Sequence, residues 1–213
     1  MTDGAPRAPA RPTPARRAPA WGADLPGSEE QARNRLLDAA ERCYAELGVR
    51  RTRMSDIADR AGVHRRTVYS YFPSKDAVLE ACFMRAEAQA MAAGARCFDT
   101  DEPFLTQLAN AVLISVRICR ESPSMRLLLA DDGNRPMHIA ARSEAWRARL
   151  TKGFGHLLAE AVAAGEVRDD VPVDTLAHWV ARIAFSLLAE PGRPQDGGDE
   201  GLVHAFLARC LQP

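Results

Sequence analysis

Residues 57–79 read Ile-Ala-Asp-Arg-Ala-Gly-Val-His-Arg-Arg-Thr-Val-Tyr-Ser-Tyr-Phe-Pro-Ser-Lys-Asp-Ala-Val-Leu. Met54, Ile57 and Ala58, followed by Ala61-Gly62-Val63, describe a very short helix closed by a glycine turn, and residues 63–72 describe another. Pro73 stops the second helix and Ser74 caps the next. Helices of about eight to ten residues are too short to be stable alone, so both must pack on the longer helices that flank them. Two short helices joined in this way make a helix-turn-helix. In that motif the second helix enters the major groove with its N-terminal residues at base edges, and the first crosses the backbone.

The residue types suit that role. Arg65 and Arg66 lie in the first turn of the second helix, where a guanidinium can take guanine O6 and N7 together. Thr67, Tyr69 and Tyr71 add hydroxyls, and Lys75 stands in the first turn of the following helix, where an ammonium and free N–H groups suit a phosphate. Val68 and Phe72 read as core. The charge agrees: Arg50, Arg51, Arg53, Arg60, Arg65, Arg66 and Lys75 face only Asp56 and Asp59, a net of +5 over 26 residues of a chain whose total formal charge is zero. A basic cluster is the footprint of a nucleic-acid surface, although a solvated arginine face is the plain alternative.

Working outward, residues 1–27 mix Pro, Ala and Arg without an apolar period, and they are expected to be a disordered arm that touches DNA backbone or does nothing. Six prolines before Gly27 and the lack of an apolar core segment argue against a secretory signal. Ser28 with Gln31 reads as a capping box for a helix over about 29–47, with Leu36, Leu37, Ala40, Tyr44 and Leu47 on one face and Gly48 as its left-handed stop. A long helix is expected over about 75–96. Further helical segments follow near 103–121, 123–131, 136–164, 172–189 and 200–211, with no convincing strand and no repeat. The expected architecture is all-α, about nine helices: the arm over 1–27, a three-helix DNA-binding domain over 28–74, and a further helical domain over 75–213.

The run from Ile57 to Leu79 resembles the DNA-binding signature of the TetR family of bacterial transcriptional regulators, in the order Ala-Gly-Val, Thr-x-Tyr-x-Tyr-Phe and Ser-Lys. The resemblance covers about residues 30–80. Position by position it implies that Arg65 and Arg66 read bases, that Thr67, Tyr69 and Lys75 hold phosphates, and that Tyr71 lies at the groove edge. Arg53 and Ser55 at the start of the first short helix and His64 at the cap of the second complete the DNA-facing set. Three residues depart from the family pattern: Arg53 stands where a small hydroxyl residue is frequent, His64 where Ser or Thr is, and Arg66 where Gly is. The resemblance further implies a homodimer on double-stranded operator DNA, most often as a repressor, and a hydrophobic small-molecule effector, with residues 75–213 as the ligand-binding and dimerisation domain. It also implies a cytoplasmic protein associated with the nucleoid.

The second half of the chain offers weaker signals. The stripes Leu176, Trp179, Val180, Ile183, Leu187 and Leu202, Phe206 are the expected dimer contact, although such stripes are as readily intramolecular core. Met84, Met91, Phe104, Leu108, Trp146 and Phe154 are the expected pocket residues, with a plain core as the alternative. No metal or other cofactor is expected, because His138, His156 and His178 have no helical metal-ligand spacing. An enzyme lacks support: there is no GxSxG, P-loop or GxGxxG opening a helix. The longest run without a charged residue, 103–116, has 14 residues, too short to cross a bilayer. Five cysteines in an odd, scattered set argue for reduced thiols. A helical redox or membrane-associated sensor is the contrasting reading.

Overall fold

The computed structural model describes Trp21, residues 25–131 and residues 135–213. Apart from Trp21 and residues 25–27, the expected arm lies outside the described residues. Ten helices fill the described chain, α1 (Glu29–Leu47), α2 (Met54–Ala61), α3 (Arg65–Tyr71), α4 (Lys75–Ala95), α5 (Phe104–Glu121), α6 (Pro123–Asp131), α7 (Arg135–Arg142), α8 (144–163), α9 (Val173–Ala189) and α10 (198–211). No strand occurs among the described residues, and the one isolated bridge joins Trp21 to Val63.

The caps set the helix ends. Ser28 Oγ accepts from Gln31 N at 3.1 Å, and Gln31 Oε1 accepts from Gly27 N at 2.8 Å, so the glutamine reaches one residue further back than a capping box requires. Gly48 ends α1 at φ +79° but ψ 154°, an extended exit rather than the left-handed helical stop expected. Thr52 stabilises that exit, its buried hydroxyl meeting the carbonyls of Cys43 and Gly48. Gly62, at φ 68° and ψ 38°, does take the left-handed conformation that closes α2 and turns the chain into α3.

The segment expected over 136–164 is broken at Ser143. Its backbone is extended and its Oγ caps α8 through Trp146 N at 3.3 Å, because a short hydroxyl side chain competes with the backbone for hydrogen bonds. Residues Leu150–Phe154 of α8 and Val203–Leu207 of α10 are π-helical turns within otherwise α-helical rods.

The core places α4 at the centre. Near its start Val78, Leu79, Cys82 and Phe83 pack toward Leu36, Leu37, Ala40 and Ile57, all buried. Arg85 ties α4 to α1 through Asp38 at 2.7 Å and Glu41 at 3.0 Å. Further along, Gly94 lets α5 approach closely: a methyl group at its α-carbon would lie 2.7 Å from Ser115 Oγ and 3.2 Å from the Ala111 carbonyl. Thus one rod spans from the short helices to the second half of the molecule.

Candidate nucleic-acid interface and ligand cavity

Packing of α2 and α3 on α1 and α4 leaves one face of α3 in solvent. Met54, Ile57, Ala58, Val68 and Phe72 are buried, whereas Arg65, Arg66 and Tyr69 are exposed. Arg65 Nη2 donates to Tyr69 Oη at 3.1 Å, with its guanidinium 5.3 Å from the centre of the same ring. That contact on the next turn holds the arginine in an extended pose along the helix. Arg66 makes no hydrogen bond or ion pair among the described residues. Arg53 and His64 are exposed and Ser55 is half-buried. Arg53 caps α2 only by its backbone, donating N–H to Asp56 Oδ2 at 2.8 Å, so its side chain stays clear of the helix end.

Three expected contacts sit differently. Thr67 is 4% exposed, so little of its side chain is left for a DNA backbone; Ser70, exposed one turn on, donates to the Thr67 carbonyl at 2.7 Å. Tyr71 is half-buried, edge-on to Trp21 at 6.0 Å. Lys75 Nζ donates to the carbonyls of Val49 at 3.0 Å and Arg50 at 3.2 Å, which commits two of its three protons to the loop after α1. Arg60, expected only as part of the basic cluster, pairs with both oxygens of Glu46 and braces α2 against α1.

Trp21 departs from the disordered arm expected around it. It is 3% exposed, bridges Val63 in the turn before α3, stacks its edge on Tyr71 and lies 5.5 Å from the guanidinium of Arg35. A large aromatic buries enough surface to order its own residue without help from a helical period. The signal was present in the sequence, since Trp21 is the one large aromatic in a stretch of Pro, Ala and Arg.

A cavity of about 480 Å³ opens among α4, α5, α8 and α9. Met91, Leu108, Trp146 and Phe154 line it as expected, together with Glu87 and Phe185. Met84 and Phe104 do not. Met84 Sδ instead accepts from Arg149 and Ser143, and Phe104 packs on Phe98 at 5.5 Å. Glu87 was missed, although it stands between Phe83 and Ala90 at helical spacing, a charge on an apolar stripe.

Of the expected dimer residues, Leu176, Val180 and Leu187 are buried inside this chain, because their stripe faces the core. Trp179, Ile183 and Leu202 are half-buried and Phe206 is 63% exposed. All five cysteines are free thiols, and burial pushes Cys82 and Cys119 up to about 12, well away from the reactive thiolate. Among the described residues no three His, Cys, Asp or Glu side chains group as a metal site, and no helix is long and apolar enough to cross a membrane.

Residues 36–82 match the family model described as bacterial regulatory proteins, tetR family. The HTH-type transcriptional regulator Rv1255c of Mycobacterium tuberculosis is 29% identical over 189 residues, 86% of this chain and 87% of that one. The HTH-type transcriptional repressor KstR2 of Mycolicibacterium smegmatis is 24% identical over 74% of this chain and 78% of its own. Among solved structures, Salmonella enterica GusR has a TM-score of 0.60 at 21% identity, covering 86% of this chain and 95% of that one. A TetR-family transcriptional regulator from Haemophilus influenzae has a TM-score of 0.60 at 21% identity, covering 88% and 100%. The solved structures speak for the fold, and the matched domain with the curated relatives speaks for the activity. Residues 36–82, with exposed arginines on a short second helix, thus match the helix-turn-helix domain of the tetR family of bacterial regulatory proteins, and the whole chain is similar in sequence to HTH-type transcriptional regulators and in fold to solved TetR-family structures.

Proposed function

We propose that the protein is a ligand-responsive repressor that binds a palindromic operator as a homodimer, with residues 28–74 on the DNA and residues 75–213 holding the effector and the partner subunit. The carrying observation is that a single helix joins the two: α4 starts at Lys75 against the DNA-binding helices and lines the cavity from Glu87 onward. The relative named as a repressor supports the direction of control. Arg65 and Arg66 read base edges, Arg53, Ser55, His64 and Tyr69 lie along the backbone, and Tyr71 and Lys75 mainly position the motif. Thr67, being buried, contributes packing.

Two-fold pairing through the exposed parts of α9 and α10, at Trp179, Ile183, Leu202 and Phe206, would set two recognition helices about 34–36 Å or a multiple apart. An apolar effector that favours one tilt of α4 changes that spacing, and linkage requires operator DNA to change effector affinity by the same factor. Sequencing of DNA fragments selected by the purified protein tests the first part, with a dyad as the expected result and a motif without one as the refutation. Log affinity should fall with log salt at a slope of roughly −0.9 per phosphate contact.

A further inference from the structure

The polar groups around the cavity are unevenly placed. Glu87 is 9% exposed, with Oε2 closed off, and its charge is met from α8 by Arg149 and the Trp146 indole. Ser115 Oγ donates to the Ala90 carbonyl at 3.1 Å. Lys152 and His156 also line the cavity but are exposed. Residues that both line a cavity and reach solvent stand at its mouth, so this mouth is basic. His156 is engaged by Glu160 at 3.4 Å, whereas Lys152 has no hydrogen bond or ion pair among the described residues. Lys152 belongs to the π-helical turn of α8, four of whose five residues, Leu150, Lys152, Gly153 and Phe154, line the cavity. Turns of this kind are frequent at functional sites. A side chain at Gly153 would meet nothing within 4 Å, so the turn leaves the mouth open. Behind it the wall is apolar, formed by residues such as Met91, Leu108, Val112, Val180 and Phe185.

We infer that the effector is an amphipathic anion, with an apolar tail inside the cavity and a single acidic head at the mouth beside Lys152. This rests on the cavity being the effector site. The tail takes apolar wall out of water, which is the main source of affinity in such a cavity. A lysine lays its apolar stem along the wall and keeps its ammonium in water, so the head can pair there without losing its own hydration. A cationic head meets the Lys152 charge instead, and an uncharged head gains nothing from it. A second charge along the tail would have to enter the apolar interior, at the cost of its hydration, which confines the charge to one end.

The test is calorimetric titration of the full chain with octanoate, octylamine and octanol, which share one apolar tail. Octanoate should bind more tightly than octylamine by about fivefold, because an exposed charge attracts one head and repels the other. Raising the salt to about 1 M, where the Debye length is about 3 Å, should shrink that ratio toward one. Lys152→Gln should bring the two ligands to within about twofold, and Lys152→Glu should invert their order. The octanoate-to-octylamine ratio cancels any general loss of cavity shape, and either variant alone suffices. A parent that prefers octylamine, or a ratio that Lys152→Glu leaves unchanged, overturns the anionic assignment while the cavity remains a site for the tail. If none of the three binds, octanol included, the effector-site reading falls with it.

Discussion

Lys75 Nζ lies 3.0 Å from the Val49 carbonyl and 3.2 Å from that of Arg50, so the first residue of the central helix is fastened to the loop that leaves α1. A cation there meets two loop carbonyls just beyond the C-terminal end of α1, where the helix dipole is negative. Lys75→Met should therefore cost stability as well as DNA affinity, about 1 kcal/mol by urea denaturation. Its effect on affinity should be the same for operator and random DNA, because neither a phosphate contact nor a brace carries sequence information. Fluorescence anisotropy with both duplexes checks this, and a change in the selected motif would refute the assignment.

Arg65 and Arg66 should behave in the opposite way. Each arginine-to-alanine change should relax base preference, at about 1–3 kcal/mol per half-site if the side chain is bidentate to guanine. Arg65 carries a further dependence, because Tyr69 Oη accepts its hydrogen bond. Tyr69→Phe should reproduce part of the Arg65→Ala loss, roughly 0.5–1 kcal/mol, and add little to it in the double variant. Additive losses would mean that the two side chains act independently.

Trp21 supplies a prediction about stability. Its ring is buried against Val63, Tyr71 and Arg35, so Trp21→Ala should remove about 3 kcal/mol, and a thermal midpoint shift of roughly 6–12 °C follows. Trp21→Phe should lose much less, because an aromatic edge still meets Tyr71. Scanning calorimetry of the three proteins decides it; an unchanged midpoint for the alanine variant would show that the indole braces nothing.

The helix-turn-helix was legible because its signals are local. The glycine that must adopt positive φ at Gly62, the proline after Phe72 and the serine cap before Lys75 each act within a few residues, and all end up where they were placed. Which face each side chain takes depends on distant helices. Thr67 reads as an exposed hydroxyl until α3 is packed, and Lys75 reads as a free ammonium until the loop after α1 arrives beside it. The same holds for the dimer stripe, where periodicity found the apolar face of α9 but could not tell the side that covers Leu176 and Val180 from the side left at Ile183. Glu87 and Trp146 come together from two helices 59 positions apart, beyond the reach of any pattern.

Arg120 joins three helices of the second half, donating from α5 to the Leu187 carbonyl on α9 and pairing with Asp199 on α10. Asp199 Oδ1 also accepts from Gly192 N at 2.7 Å. Burial by itself would raise the Asp199 carboxyl, but the hydrogen bonds from Arg120 and Gly192 hold it below the usual carboxylate range. A carboxyl depressed in the folded chain contributes stability that is present above its unfolded pKa, about 3.9, and is lost as pH falls through the folded value. Asp199→Asn should thus destabilise the protein at pH 7 by about 1 kcal/mol, a modest figure because solvent partly screens the pair. The gap between parent and variant should close as the pH drops below about 4. Urea midpoints measured across that range are the check, and a gap that persists undiminished at the acid end would show that the Asp199 charge does not hold α10 in place.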